Sequence, residues 1–188
     1  MTAIPHSGRP LTVEDYLALG EDEHRRYELQ DGALVMSPSP RPHHVRALGR
    51  LYRQLVGQIP DDLDVLLEID VDLQLAPAGE PGTVRRPDLV VVDKEAPDRA
   101  ESEGRLIQAY EVLVAIEVVS PGSRRLDNVV KRGEAGIRYY WIVDIEPPVS
   151  LLPCHLTEEF GYVDDGMVSG SFKTGTPFPV DVDLTRLR

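Results

Sequence analysis

Two short runs of apolar, mostly β-branched residues constrain the fold of this chain more than any other feature. The first runs from Asp88 to Val92 and the second from Val112 to Val119. Runs without polar alternation are typical of strands that are covered on both faces. The sequence therefore predicts a central sheet with helices packed against it.

The segments around these two strands predict a mixed α/β order. Thr12 begins a capping box before a short helix, and Asp31-Gly32 is a strong hairpin signal within residues 27–36. Helical periodicity covers residues 44–58 and 124–135, whereas residues 63–75 and 139–144 have strand patterns and residues 99–108 suggest a loop with a short helical turn. Residues 149–172 predict a C-terminal β-meander, and residues 176–188 an extended edge piece that ends in a helical turn.

Length and composition favour one domain, residues 1–188. The first ten residues contain no apolar core of a signal peptide. No stretch approaches the roughly 18 apolar residues of a membrane span, so we expect a soluble, cytoplasmic protein that does not contact a membrane. The single cysteine, Cys154, excludes an internal disulfide and a cysteine zinc cluster.

The formal net charge of −12 counts against a simple nucleic-acid-binding module. It does not exclude a nuclease, because bound metal ions and a local basic strip can offset carboxylates at one site. The basic residues that flank the two apolar runs in sequence, and that we consider for contact with phosphates, are Arg85, Arg86, Arg124, Arg125 and Arg132.

Each apolar run contains one carboxylate, Asp88 in the first and Glu117 in the second. A carboxylate within an apolar strand is costly unless it is paired, hydrogen-bonded or bound to a metal ion. If the two strands are neighbours, both acids can reach one divalent cation, and their hard oxygens suit Mg²⁺ or Mn²⁺. The competing interpretation is that Asp88 merely begins a strand and Glu117 pairs with a nearby arginine.

Three further polar residues are candidates for the same site. Glu28 lies on the first strand of the hairpin, and Asp127 and Lys131 share a face of the helix that follows Glu117. Their structural alternatives are an exposed strand residue for Glu28 and an ordinary surface salt bridge for the other two. His43 and His44 are weak candidates, since a histidine pair at a helix start is more often a cap or a surface feature.

Several short motifs, each present once, follow one another between residues 11 and 152. They are Tyr27-Glu28-Leu29-Gln30-Asp31-Gly32, Ser37-Pro38-Ser39-Pro40 followed by His44, Arg86-Pro87-Asp88-Leu89-Val90-Val91-Val92, Glu117-Val118-Val119-Ser120-Pro121-Gly122-Ser123, Asp127, Lys131, and Ala135 to Asp144. Together they resemble the Uma2 family of restriction-endonuclease-like proteins.

The resemblance implies a restriction-endonuclease-like α/β fold, a mixed central sheet flanked by helices with an N-terminal helix and hairpin. It also implies a PD-(D/E)XK site in which Asp88 is the first acid and Glu117 the second. The usual lysine position is occupied by Val119, so the lysine would come from the next helix as Lys131, and Glu28 would complete the site. Gly133 departs from the family's helix, since glycine weakens helix interiors.

The function implied is that of a Mg²⁺- or Mn²⁺-dependent endonuclease that hydrolyses phosphodiester bonds in DNA, with Asp88, Glu117 and the Val118 carbonyl as metal ligands. The alternative is a catalytically silent binding or assembly protein on the same fold, and a weaker one is a hydrolase of small phosphoesters. We also expect a homodimer. Tyr140 or Trp141 would serve its interface if exposed, although both are equally compatible with a core position.

Overall fold

In the computed structural model, the described residues are 2–3, 8–19, 27–36, 39–119 and 135–188. The helices among them are α1 (Val13–Ala18), α2 (Pro42–Leu55) and α3 (Ala96–Glu103), with 3-10 turns at Ala109–Glu111 and Leu184–Arg186. None of these helices has the length and hydropathy that a membrane-spanning helix requires.

The strands are short and numerous. In chain order they are β1 (Thr2–Ala3), β2 (Tyr27–Gln30), β3 (Ala33–Met36), β4 (Leu63–Leu67), β5 (Val71–Asp72), β6 (Val84–Arg85), β7 (Leu89–Asp93), β8 (Ile107–Gln108), β9 (Val112–Val119), β10 (Tyr139–Asp144), β11 (Ser150–Thr157), β12 (Gly161–Asp164), β13 (Val168–Ser169), β14 (Ser171–Thr174) and β15 (Val180–Asp183).

The larger sheet has the order β12-β11-β10-β9-β7-β4, and β13 pairs with β11. It is mixed, since β9 and β10 are parallel while the other pairs are antiparallel. The two apolar runs form its neighbouring strands β7 and β9, as the sequence predicts. A smaller sheet, β1-β3-β2-β6-β5-β8, holds the N-terminal hairpin, and β14 pairs with β15 alone.

Both faces of the larger sheet are covered, which explains the unbroken apolar runs. On one face α2 packs through Leu48, Leu51 and Leu55 against strand residues that include Val114 and Ile116. The C-terminal hairpin β14–β15 joins the same cluster. The other face is covered by α3, whose small residues Ala96 and Ala100 pack in the second core cluster.

The N-terminal predictions are confirmed in detail. Thr12 caps α1, its hydroxyl accepting from Asp15 N while the Asp15 carboxylate accepts from Thr12 N. The β2–β3 turn has positive φ at both Asp31 (49°) and Gly32 (78°). That conformation is typical of a type I′ turn and explains the Asp-Gly pair.

Some predicted elements differ from those observed. Residues 63–75 do not form one strand: the chain leaves the larger sheet after β4 and enters the smaller sheet at β5. Glu68, between them, has a left-handed φ of 49°, which ends the first strand. Residues 96–103 form a full helix, ended by Gly104 in the left-handed conformation, where only a short turn was expected.

Two other expectations concern the end of the chain and the core. The meander is interrupted, because β14 and β15 form their own hairpin against α2. Tyr140 and Trp141 are core residues with 2% and 1% exposure, so neither serves a surface interface. Trp141 packs edge-on against Phe172, with ring centroids 5.1 Å apart. The predicted helix 124–135 lies outside the described residues except for Ala135, which is in a turn.

Candidate active site

Asp88 and Glu117 lie beside each other at one end of the larger sheet. Leu89, the first residue of β7, pairs with Ile116 of the antiparallel β9. Asp88 immediately precedes Leu89 and Glu117 immediately follows Ile116, so both acids lie at the same end of this strand pair. The N–H of Val118, the residue after Glu117, donates to the Asp88 carboxylate at 2.7 Å, which keeps the two segments in contact.

A third acid, Glu68, continues this row on the neighbouring strand. Leu67 of β4 pairs with Leu89, and Glu68 N donates a hydrogen bond of 3.0 Å to the Asp88 carbonyl. Glu68 thus extends the row of acids to three adjacent strands. Its place beside Asp88 is not apparent from the sequence pattern. The break in alternation at Leu66-Leu67 was a signal that the strand ends there.

The Asp88 carboxylate is held by two hydrogen bonds. Its Oδ2 accepts from Val118 N at 2.7 Å, and its Oδ1 lies 3.1 Å from His44 Nε2. The first contact ties the carboxylate to β9, and the second ties it to the first turn of α2. Both side chains are mostly buried, with 15% exposure for Asp88 and 13% for His44. Asp88 is therefore fixed in orientation before any ligand binds.

His44 lies close to these acids, although its place at a helix start favours a cap or a surface feature. The hydrogen bond to Asp88 raises the pKa of His44, and the negative charges of Asp88, Glu117 and Glu68 raise it further against the lowering effect of burial. His44 is spaced from Leu48, Leu51 and Leu55 by four, seven and eleven residues, which places all four on one side of α2. This spacing is the sequence signal for an inward-facing histidine.

The donor chemistry at Asp88 and Glu117 fits a divalent cation. A carboxylate offers about four lone-pair positions, and Asp88 uses one on each oxygen. Magnesium is usually held by one or two carboxylates together with water and substrate phosphate. Within the described residues, no group of three or more His, Cys, Asp and Glu side chains is arranged so that it could hold a metal ion by itself. A cation at Asp88 and Glu117 would therefore rely on water or phosphate for its other ligands.

The Val118 backbone faces the same edge. Its N–H points toward Asp88, and in an extended strand the N–H and C=O of one residue point to the same side. The Val118 carbonyl is accordingly directed toward the side of β9 on which Asp88 lies.

Glu28 is positioned differently from Asp88 and Glu117. It lies on β2 in the smaller sheet, 7% exposed, and its Oε2 accepts from Arg85 Nη1 at 2.8 Å. Its Oε1 accepts a long bond of 3.4 Å from Arg86 N. Glu28 therefore contacts the segment that leads into Asp88 and neutralises a buried arginine there.

The same segment is clamped by a second ion pair. Arg86 donates to both oxygens of Asp70 at 2.7 Å, and this pairing raises the pKa of Arg86. Tyr16 also donates to Asp70, at 3.0 Å, and burial raises the pKa of Tyr16. Arg85, 1% exposed, and Arg86 are thus paired with internal carboxylates. The expectation that Arg85 contacts phosphates is wrong because Arg85 is buried, and the same expectation for Arg86 stays a prediction.

The remaining predicted residues fall in the part of the chain that is not described. They are Arg124, Arg125, Asp127, Lys131 and Arg132. Their roles stay predictions.

Comparison with known proteins places the chain in a family. The model of the Uma2 family, described as "Putative restriction endonuclease", matches residues 13–156, which is most of the chain. The chain belongs to the Uma2 family. No match was found among curated proteins.

A solved structure shares the fold of this Uma2 protein. It is described as a "putative nuclease belonging to DUF820" from Anabaena variabilis ATCC 29413. The two superpose with a TM-score of 0.67 at 17% sequence identity, over 95% of this chain and 97% of the other. The restriction-endonuclease-like α/β architecture predicted from the sequence is thereby confirmed.

Proposed function

We propose that this Uma2 protein is a metal-dependent endonuclease that hydrolyses phosphodiester bonds in DNA. The observation that carries the proposal is that Asp88 and Glu117 lie next to the paired residues Leu89 and Ile116 at one end of adjacent strands, with Asp88 held by His44 and Val118 N. Family membership supports a nuclease, and nucleases of this fold generally use divalent metals.

The residues that would hold Mg²⁺ or Mn²⁺ are Asp88, Glu117 and the carbonyl of Val118. A bound divalent cation would supply neutralisation of phosphate charge and favour ionisation of an attacking water. Asp88 and Glu117 provide the negative charge that attracts the cation. Fixing Asp88 in advance avoids the cost of ordering it during the reaction.

The other polar groups have supporting roles in this proposal. His44 is a positioning residue that orients the Asp88 carboxylate, as outer-shell partners of metal ligands do. Glu28 acts through Arg85 and the Arg86 backbone to place the segment that enters β7. Lys131 would stabilise phosphate charge or orient the water.

The proposal is tested by cleavage of supercoiled plasmid DNA with Mg²⁺ or Mn²⁺. We expect metal-dependent cutting by the wild type, and a loss on the order of 100-fold or more in both Asp88→Asn and Glu117→Gln, which remove ligand charge at constant shape. Asp98→Asn, an exposed acid on α3, is the matched control and should cut like the wild type.

If the wild type cuts under no metal condition, and neither Mg²⁺ nor Mn²⁺ raises its melting temperature, the catalytically silent binding or assembly protein is favoured. The net charge of −12 agrees with that alternative, because an acidic protein repels DNA.

A further inference from the structure

The outward face of α2 carries a row of arginines. Arg46, Arg50 and Arg53 are spaced by four and three residues, which places them on one side of the helix. The buried residues of α2, namely Ala47, Leu48, Leu51 and Leu55, occupy the opposite side. Arg46 and Arg53 are exposed, and Arg50 is half-buried.

Two of these arginines line a groove with the C-terminal 3-10 turn. The groove has a volume of about 510 Å³ and is lined by Arg50, Arg53, Gln54 and Arg186. We call it the arginine groove. It is separate from the acid row, which lies near the other end of α2 at His44.

The walls of the arginine groove are fixed by backbone contacts. Gln54 donates to the Asp183 carbonyl at 3.1 Å and accepts from Asp183 N at 2.8 Å, which fastens α2 to the end of β15. Arg50 donates to the main-chain oxygen of Arg188. Arg53 and Arg186 therefore extend from anchored elements into a preformed space.

Two arginines of the arginine groove, Arg53 and Arg186, have no acidic partner among the described residues, whereas Arg50 contacts the main-chain oxygen of Arg188. No acid in the described ranges forms an ion pair with Arg46, Arg53 or Arg186, although most other arginines seen there are paired. The Asp183 carboxylate is turned to its own cap, accepting from Thr185 N at 3.0 Å. In a chain of net charge −12, such a cluster is a local reversal of the prevailing potential.

We propose that the arginine groove binds phosphate groups of duplex DNA beyond the position that is cut. Guanidinium groups bind phosphate through paired N–H donors, and this geometry makes arginine the preferred partner for such oxygens. Arg53 follows His44 by nine residues, about 13 Å along the helix axis. That distance corresponds to about four base-pair steps along the axis of a DNA duplex. The choice of DNA as the ligand rests on the proposed function.

The test measures binding without cleavage. Fluorescence anisotropy of a short labelled DNA duplex is recorded in EDTA at several salt concentrations. We expect the double variant Arg53→Gln/Arg186→Gln to bind about 10-fold more weakly at 0.1 M salt, and the slope of log K against log salt to fall by about 1.8, since each lost phosphate contact removes about 0.9.

The control is Lys94→Gln/Arg138→Gln, which removes the same charge. Both residues are exposed and lie at the end of the larger sheet away from Asp88. This control double variant should keep the wild-type slope of log K against log salt.

Arg53→Lys/Arg186→Lys keeps the positive charge and should restore most of that slope. It replaces the glutamine double variant in the test if the glutamine double variant melts at a lower temperature than the control.

Three outcomes would overturn the inference: equal weakening in both glutamine double variants, no binding of duplex DNA by the wild type, or displacement of the DNA by an equal concentration of ATP. Failure of the proposed function has a different signature. If DNA binding depends on Arg53 and Arg186 but no metal-dependent plasmid cutting occurs, the arginine groove is supported and the nuclease proposal is contradicted. If cutting depends on Asp88 but Arg53→Gln/Arg186→Gln binds DNA like the wild type, the nuclease proposal is supported and the arginine groove is contradicted.

Discussion

Asp88 is connected to three surrounding elements at once. Its carboxylate contacts α2 through His44 and β9 through Val118 N, and its carbonyl contacts the residue after β4, Glu68. A side chain held in this way loses little further freedom when it binds a ligand. The sequence identified Asp88 and Glu117 because a lone acid in an apolar strand is conspicuous. Helix periodicity alone places His44 on the inward side of α2, but its contact with Asp88, like the position of Glu68, depends on how distant segments pack.

Glu111 illustrates a buried acid with a structural role. Its side chain, 1% exposed, accepts from Arg105 at 2.7 and 3.0 Å and from Gln108 N at 3.0 Å. Burial alone raises the pKa of Glu111, but the hydrogen bonds from Arg105 and Gln108 outweigh it, and the net pKa is lowered. A lowered carboxyl pKa stabilises the folded state above the unfolded value, about 4.3. That stability is lost as the pH falls through the folded value.

We therefore expect Glu111→Gln to reduce the free energy of unfolding at pH 7 by about 1–3 kcal/mol. The difference from the wild type should shrink as the pH falls below about 4.3. Urea unfolding over this pH range measures it, with the exposed Glu101→Gln as control. A difference that stays constant with pH would show that the loss comes from packing rather than from the charge.

At the scale of the elements, α2 connects the candidate site to the core. Its inward face packs on the larger sheet, and its first turn contributes His44. Local patterns predicted α2, the β2–β3 hairpin and strands β7, β9 and β10 because each is determined mainly by periodicity and turn residues. They did not predict the split at Glu68 or the pairing of β14 with β15. Those features depend on which sheet a short strand joins, and a two-residue strand carries almost no pattern.

The exposed Gly49 within α2 offers a test of the helix itself. A Cβ added there meets nothing within 4 Å. We expect Gly49→Ala to stabilise the fold by about 0.5–1 kcal/mol, because alanine favours the helix. The melting temperature should rise by about 1–4 °C.

Gly32→Ala is the matched comparison. Its φ is +78°, and an added Cβ would lie 2.5 Å from Pro10 Cβ, so this variant should melt at a lower temperature than the wild type. A lower melting temperature for Gly49→Ala would contradict the described helix geometry.

For the whole molecule, the fold brings an acidic edge and a basic groove to opposite ends of one helix. We propose that Asp88 and Glu117 attract a cation at one end and that the arginine groove binds an anion at the other, so that charges of opposite sign are separated along α2. The family and fold were predictable because many short motifs occur in the right order. The homodimer stays a prediction, and its proposed contacts at Tyr140 and Trp141 are excluded by their burial.

The most direct measurement is anomalous diffraction from a crystal of the wild type soaked in Mn²⁺. We predict one or two anomalous peaks within about 2–2.6 Å of the carboxylate oxygens of Asp88 and Glu117. The same soak of Asp88→Asn should lose them. No peak at these two acids, or carboxylates on opposite faces of the sheet, would contradict the proposal that they share a divalent cation.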